Sequence, residues 1–242
     1  MSRLLFYEPM NDILDEYGRL LEKVDRWFAR SLAHAGERIR CAKGCAECCC
    51  SLFDITLIDA AFLKRGFDQL DEQTKSEVLT RCRVRLMTLK QAWPEFDAPY
   101  LLNYRPEEDW ELLMPDDDES PCPLVGADGR CLVYAHRPMT CRLHGLPLID
   151  FSGEVLHDEW CTLNFVDADP LADEGLREDF TGIFREEVRL FRQFVERLFG
   201  RVFLELDTFI PTALLIDFTR FDWQTFAASH APPRESDIEG QS

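Results

Sequence analysis

The chain has 242 residues, with 27 Lys+Arg against 45 Asp+Glu for a net charge of −18, 46% hydrophobic content, 12% aromatic content and 10 cysteines. A chain this long buries enough apolar surface to be stable without covalent staples, so the cysteines need a role other than rescue of a small fold. The acidic balance, uninterrupted by any Lys/Arg cluster, repels phosphate backbones, and no stretch approaches the roughly 18 apolar residues that span a bilayer. Neither nucleic acid nor membrane is therefore an expected partner.

The start, from Met1 to Pro9, has no apolar leader or small-residue cleavage site, and the expected location is the cytoplasm. In that reducing compartment clustered thiols serve as metal ligands or redox groups. From Asn11 to Arg40 the residues Ile13, Leu14, Tyr17, Leu20, Leu21, Val24, Trp27, Phe28 and Leu32 recur at i, i+3, i+4, i+7 spacing, which predicts an amphipathic helix. Thr56 and Asp59 have capping-box spacing for a short helix through Phe62 that stops at Gly66. A further helix is expected from about Asp68 to Trp93, with Leu70, Val78, Leu79, Cys82, Leu86, Leu89 and Trp93 as its stripe and Pro94 as its end.

Residues 94–121 hold five prolines, and Glu107 to Glu119 contain eight acids with no Lys or Arg. This reads as a loop-rich acidic insertion with a short helix around Trp110. The order apolar run, Gly126-Ala127-Asp128-Gly129, apolar run predicts a hairpin between Cys122 and Tyr134, and Leu146–Asp150, Ser152-Gly153 and Val155-Leu156 predict a second. Leu171 to Phe199, with Phe180, Ile183, Phe184, Val188, Phe191, Phe194, Val195 and Leu198, reads as a core helix capped by Gly200. The expected organisation is one domain over 1–228, with cysteine-cluster region 36–165 and C-terminal helical part 171–228, followed by a disordered tail over 229–242. The fold class is mainly α with a cysteine-rich, hairpin-containing metal-binding centre.

The first cysteine group, Cys41-x3-Cys45-x2-Cys48-Cys49-Cys50, places five thiols in ten residues, while Cys122, Cys131, Cys141 and Cys161 are separated by 8, 9 and 19 residues. Short spacings let neighbouring thiolates converge on one metal, and the distant group supplies a second arm. Side chains of adjacent residues diverge, so Cys48 and Cys49 seldom complete one mononuclear tetrahedral site together. The pair points to two centres or to one polynuclear cluster, and eight thiolates are enough for two four-cysteine sites. Thiolate-only ligation selects zinc or iron–sulfur over magnesium, calcium or manganese, without deciding between zinc and iron. Cys82, alone in an apolar stripe, reads as a buried hydrophobe. With so many thiols available, His136, His144 and His157 are minor candidates as ligands. Lys43, Arg130, Arg137 and Arg142 adjoin the cysteines as cations that offset a negative thiolate centre.

The run Cys41-x3-Cys45-x2-Cys48-Cys49, then Cys122-Pro123-Leu124, Cys131-Leu132-Val133-Tyr134-x2-Arg137-Pro138-x2-Cys141-Arg142 and a final Cys161 resembles the YkgJ-type CxxCxxCC cysteine-cluster family over roughly residues 36–165. The resemblance implies zinc or iron chelation and a distant relationship to flagellin lysine methylases. It implies the ligands Cys41, Cys45, Cys48, Cys49, Cys122, Cys131, Cys141 and Cys161, with Cys50 outside the pattern. The expected cofactor is an iron–sulfur cluster of [4Fe–4S] type or Zn2+, with Arg137 and Arg142 as cofactor-binding cations. The same first spacing occurs in radical-SAM enzymes, but Glu47 stands where those carry an apolar residue, and no βα alternation supplies their barrel. A cluster-dependent protein-modifying enzyme and a structural zinc module with a protein partner are the competing function classes. GxSxG, HExxH, Walker A and GxGxxG strings are absent.

Overall fold

The computed structural model describes residues 10–42, 44–111, 113–114 and 119–230. The predicted tail, apart from Ser229 and His230, lies outside them, as does Lys43.

The apolar stripe of the N-terminal segment forms helix α1, Asn11–Ala35, followed by a 3-10 turn at Gly36–Arg38. Ile13, Leu14, Tyr17, Leu20, Leu21, Val24 and Trp27 are all buried, each side chain contributing ~1.5–3 kcal/mol by leaving water. Trp27 fixes what this face meets. Its Nε1 donates to the Leu176 carbonyl at 2.7 Å, and its ring stands edge-on to Phe180 at a centroid distance of 4.9 Å.

Helix α2, Leu57–Phe67, begins as its sequence dictates, with the Thr56 side chain accepting from the Asp59 amide. Its end differs from expectation. The helix runs through Gly66, because that glycine serves a close approach: an added Cβ would lie 2.4 Å from Cβ of His136. The absent side chain lets the second cysteine arm lie directly on α2. Helix α3, Glu72–Ala92, is capped by Asp71, with Val78, Cys82 and Leu89 buried. It starts four residues later than expected because the Asp71 carboxylate, accepting from the Thr74 amide at 2.9 Å, offers the backbone a defined start.

Among the described residues of the acidic insertion, the expected short helix around Trp110 is present. Helix α4, Glu107–Glu111, presents Trp110 to a satellite apolar cluster with Leu52, Trp93, Phe96, Leu102 and Phe209. Beyond it, the first predicted hairpin is a tight turn with one bridge, Val125 to Cys131, closed by the Gly126 amide on the Arg130 carbonyl at 2.8 Å. A 3-10 turn at Tyr134–His136 leads into helix α5, Met139–Leu143.

The second hairpin is present as strands β2, Leu148–Ile149, and β3, Val155–His157. Helix α6, Phe180–Phe199, ends at Gly200 with φ 71, as expected. Its start corrects the reading from Leu171: residues 171–179 are non-helical apart from a 3-10 turn at Glu174–Leu176, and Asp179 caps the first turn by accepting from Gly182.

One pairing has no counterpart among the expected elements. Strand β1, Asp54–Thr56, pairs antiparallel with β4, Asp207–Phe209, with Ile55 opposite Thr208. Each strand runs straight into a helix, α2 after β1 and α7, Ile210–Ala213, after β4. Helix α8, Trp223–Ser229, packs back on α6. Among the described residues only these small two-stranded sheets accompany the helices, so the fold is mainly α. No helix among them is long and apolar enough to cross a membrane.

Candidate metal centre

The two cysteine arms meet through main chain. The Cys122 amide donates to the Cys49 carbonyl at 2.7 Å, the Ser51 amide donates to Ser120 at 3.0 Å, and Cys50 bridges Pro121. Farther along, Gly129, with φ +76, lies against Gly44 so closely that a Cβ would fall 2.7 Å from the Gly44 carbonyl oxygen. The start of the first run is held by Asn164, 1% exposed. Its Oδ1 accepts from the Arg40 amide at 2.8 Å, while Nδ2 donates to Gly145 at 2.7 Å and faces the Cys41 sulfur at 3.4 Å. Its own amide donates to the Cys161 carbonyl at 2.8 Å. One asparagine therefore ties Cys41 to Cys161 across 120 residues of chain.

The ten cysteines are free thiols, and the fields they exert on one another define two neighbourhoods. The Cys41 thiol is pushed up by burial, eased by Asn164, and pushed up further by Cys161, Cys48 and Cys45. In the second neighbourhood burial pushes Cys122 up to about 11, with Cys131 and Cys48 adding to it. Burial likewise raises Cys141, which also feels Cys122, Cys131 and Cys48. Cys48 lies between the groups and is raised first by its hydrogen bond to Cys49. The individual sulfurs are not gathered into a coordination shell, since among the described residues no three Cys, His, Asp or Glu side chains are arranged to hold a metal ion.

The cations separate into distinct roles. Arg142 is 4% exposed and is consumed by structure: Nη1 pairs with Asp25 on α1, Nε donates to the Arg137 carbonyl at 3.0 Å, and Nη2 donates to Ala135 at 2.8 Å. Arg137 shares Asp25 through Nη2 at 3.0 Å and stacks over Tyr134. Arg130 is exposed and faces Asp128. His136 packs on Phe62, His144 stands edge-on to Phe53, and burial lowers both imidazoles toward the neutral form. His157 is exposed on β3.

Beneath the second arm is a buried acid network that sequence reasoning passed over. The Tyr17 hydroxyl donates to Asp59 Oδ1 at 2.8 Å and lies 3.4 Å from Glu187, while Asp59 also accepts from the Met139 amide at 3.0 Å. Burial pushes Asp59 up to about 6, against the relief of the Tyr17 bond, and burial with the Asp59 charge pushes Glu187 up to about 8. Burial raises Asp207 to about 7, partly relieved by Asn103. The only sequence signal was Asp59 at a capping-box position. Its carboxylate instead anchors the start of α5, two residues before Cys141.

Because these acids bind protons more tightly folded than unfolded, their contribution to stability is fully present below the unfolded pKa near 4 and is lost as pH rises through about 6 to 8. The thermal midpoint should therefore fall by several degrees between about pH 6 and pH 9, and Glu187→Gln should flatten that slope and raise the midpoint at the alkaline end. Calorimetry across that range checks it, and a rising midpoint would contradict the assignment.

Cys82 is fully buried on α3, and its thiol is pushed up to about 12 by burial and then by neighbouring Cys122. Its distance in sequence from the second arm thus does not reflect its position in space. Cys82→Ala is still expected to keep full metal content, since the thiol sits in the apolar stripe of α3. Metal analysis decides this, and a loss equal to that of Cys131→Ala would make Cys82 a ligand.

Comparison with known proteins adds the family. No curated protein and no solved structure matches the chain. The family model CxxCxxCC, described as "Putative zinc- or iron-chelating domain", matches residues 40–162, just over half the chain. That interval runs from the residue before Cys41 to the residue after Cys161, enclosing both arms and the main-chain joints between them. The chain belongs to this CxxCxxCC family, whose description points to metal binding.

Proposed function

We propose that the protein holds metal through Cys41, Cys45, Cys48, Cys49, Cys122, Cys131, Cys141 and Cys161, as iron–sulfur or zinc in two four-thiolate sites. The observation that supports this reading is the joining of the two arms, the Cys122 amide on the Cys49 carbonyl and Asn164 linking Cys41 to Cys161. In this reading Cys41, Cys45 and Cys161 supply one site, Cys122, Cys131 and Cys141 supply the other, and the Cys48–Cys49 pair serves both. Adjacent side chains diverge, so one member of the pair completes each site. The donor set suits soft, thiolate-preferring metals. Loaded, such a centre supplies either a rigid structural crosslink as zinc or electron storage as an iron–sulfur cluster.

The chain's own part is to keep the thiols reduced in proximity, to hold the two arms together by main chain, and to offset negative charge with Arg137. Metal and sulfide analysis of anaerobically purified protein from iron-supplemented cells tests the reading. Brown protein with a broad visible band and acid-labile sulfide establishes iron–sulfur, and colourless protein with two zinc ions per chain establishes zinc. Protein that binds neither, or that keeps its metal when Cys48 and Cys49 are both replaced by serine, refutes the assignment.

A further inference from the structure

The β2–β3 hairpin leaves more uncovered than a closed surface does. Among the described residues β3 pairs with β2 alone, so its other edge carries main-chain donors and acceptors with no strand beside them. Every residue from Glu154 to Glu159 is exposed, with Val155 and Leu156 at 40% and 39%. Phe151, in the turn of the same hairpin, is 61% exposed. Apolar side chains gathered in water beside charged ones mark a surface that meets a partner.

Charge identifies the partner. Residues 143–176 contain eight acids and no Lys or Arg, and Glu154, Asp158 and Glu159 form no ion pair among the described residues. In extended chain alternate side chains share a face, which groups Glu154, Leu156 and Asp158 as acid, apolar, acid. Opposite charges attract across a strand pair and like charges repel, so the complement is a strand carrying cation, apolar, cation at the same period. A second copy fails that requirement. Antiparallel pairing centred on Leu156 would set Glu154 against Asp158 on both sides of the axis, in chains of net charge −18. Residues 231–242 fail it too, with three acids against one arginine, and the same field repels nucleic acid and anionic lipid.

We infer that the free edge of β3 takes an extended segment of another protein, with Lys or Arg on both sides of an apolar residue at two-residue spacing, as a third strand of this sheet. The surface uses none of the cysteines. Cys161 follows Asp158 by three residues, however, so a segment seated there is held beside the cysteine-rich centre.

The test titrates the full chain into the rhodamine-labelled, end-blocked peptide Thr-Lys-Thr-Val-Thr-Lys-Thr and follows fluorescence anisotropy. The peptide Thr-Thr-Lys-Lys-Val-Thr-Thr has the same composition and charge without the spacing. Two facing ion pairs should favour the first peptide by roughly 5-fold or more. Equal affinity would show attraction to net charge alone and would overturn the inference, as would binding of neither. The double substitution Glu154→Lys with Asp158→Lys should reverse the choice, losing the lysine peptide and gaining Thr-Glu-Thr-Val-Thr-Glu-Thr. Both side chains are exposed, and a variant that kept its preference for the lysine peptide would place the binding elsewhere.

A measurement on wild type is independent of the variant. With saturating lysine peptide, amide hydrogen exchange across Val155–His157 should slow by roughly 5-fold or more, and unchanged exchange there would overturn the inference. Slowing that instead follows protein concentration without peptide would make a second copy the occupant, and would overturn it equally.

Discussion

Stripping the metal from loaded protein is expected to lower its thermal midpoint by ~10 °C or more and to reduce hydrogen-exchange protection in α1 and α2, as well as in the cysteine loops. Metal binding in thiolate sites is folding free energy, and here it closes loops of about 70 to 120 residues, whose entropy the bare chain must otherwise supply. The arms are also wired to the helices. Asp25 on α1 holds Arg137 and Arg142, and Asp59 on α2 holds the Met139 amide. Slackening the second arm therefore withdraws partners from Asp25 on α1 and from the buried Asp59 on α2. Calorimetry and exchange before and after chelation measure the effect. An unchanged midpoint with unchanged protection would show a helical core indifferent to its metal, and would favour a labile or transfer role for the site.

Arg142→Met should destabilise the protein by ~3 kcal/mol, because the buried guanidinium makes three charged hydrogen bonds that methionine cannot replace, while its partner Asp25 is half-exposed. The methionine would fill much of the space but donate nothing. The Ala135 and Arg137 carbonyls would lose their side-chain donor, and Asp25 would keep only Arg137. For a chain of this size the loss corresponds to roughly 10 °C in midpoint. Denaturant titration would measure it. Adding Asp25→Asn should deepen the loss, because Arg137 then loses its carboxylate partner as well. A single variant within about 1 kcal/mol of wild type would show that Arg142 does not organise the arm.

The helices were legible because their stripes are long: seven large apolar residues recur, buried, along α1 at one period, which no other element type reproduces. The grouping of the cysteines was legible for a similar reason, since five thiols in ten residues exclude a packing stripe. Features that depend on distant chain were hidden. β1 and β4 have three residues each and meet across some 150 residues, so neither shows an alternation long enough to read. Gly66 looked like a helix stop because its actual cause, the His136 ring against its Cα, lies 70 residues downstream. Asp25 resembles any acid on a helix surface until two arginines arrive from the second arm. Asn164, three residues beyond the last cysteine, had only its nearness to Cys161 as a sign. The closeness of Cys82 to Cys122 had none.

The pairing of β1 with β4 also orders events during synthesis. β1 follows Cys50 by only a few residues, and the strand that pairs with it is Asp207–Phe209. At ~5–20 residues per second, a ribosome that has released the first thiols needs roughly 10–30 s more to deliver that strand. Through that interval the five thiols of Cys41–Cys50 lack the neighbour that seats the segment following them. If these thiols take up metal as proposed, faithful loading would be an event of the completed chain, and a nascent or C-terminally shortened protein would present them in a form open to oxidants and to whichever soft metal arrives first.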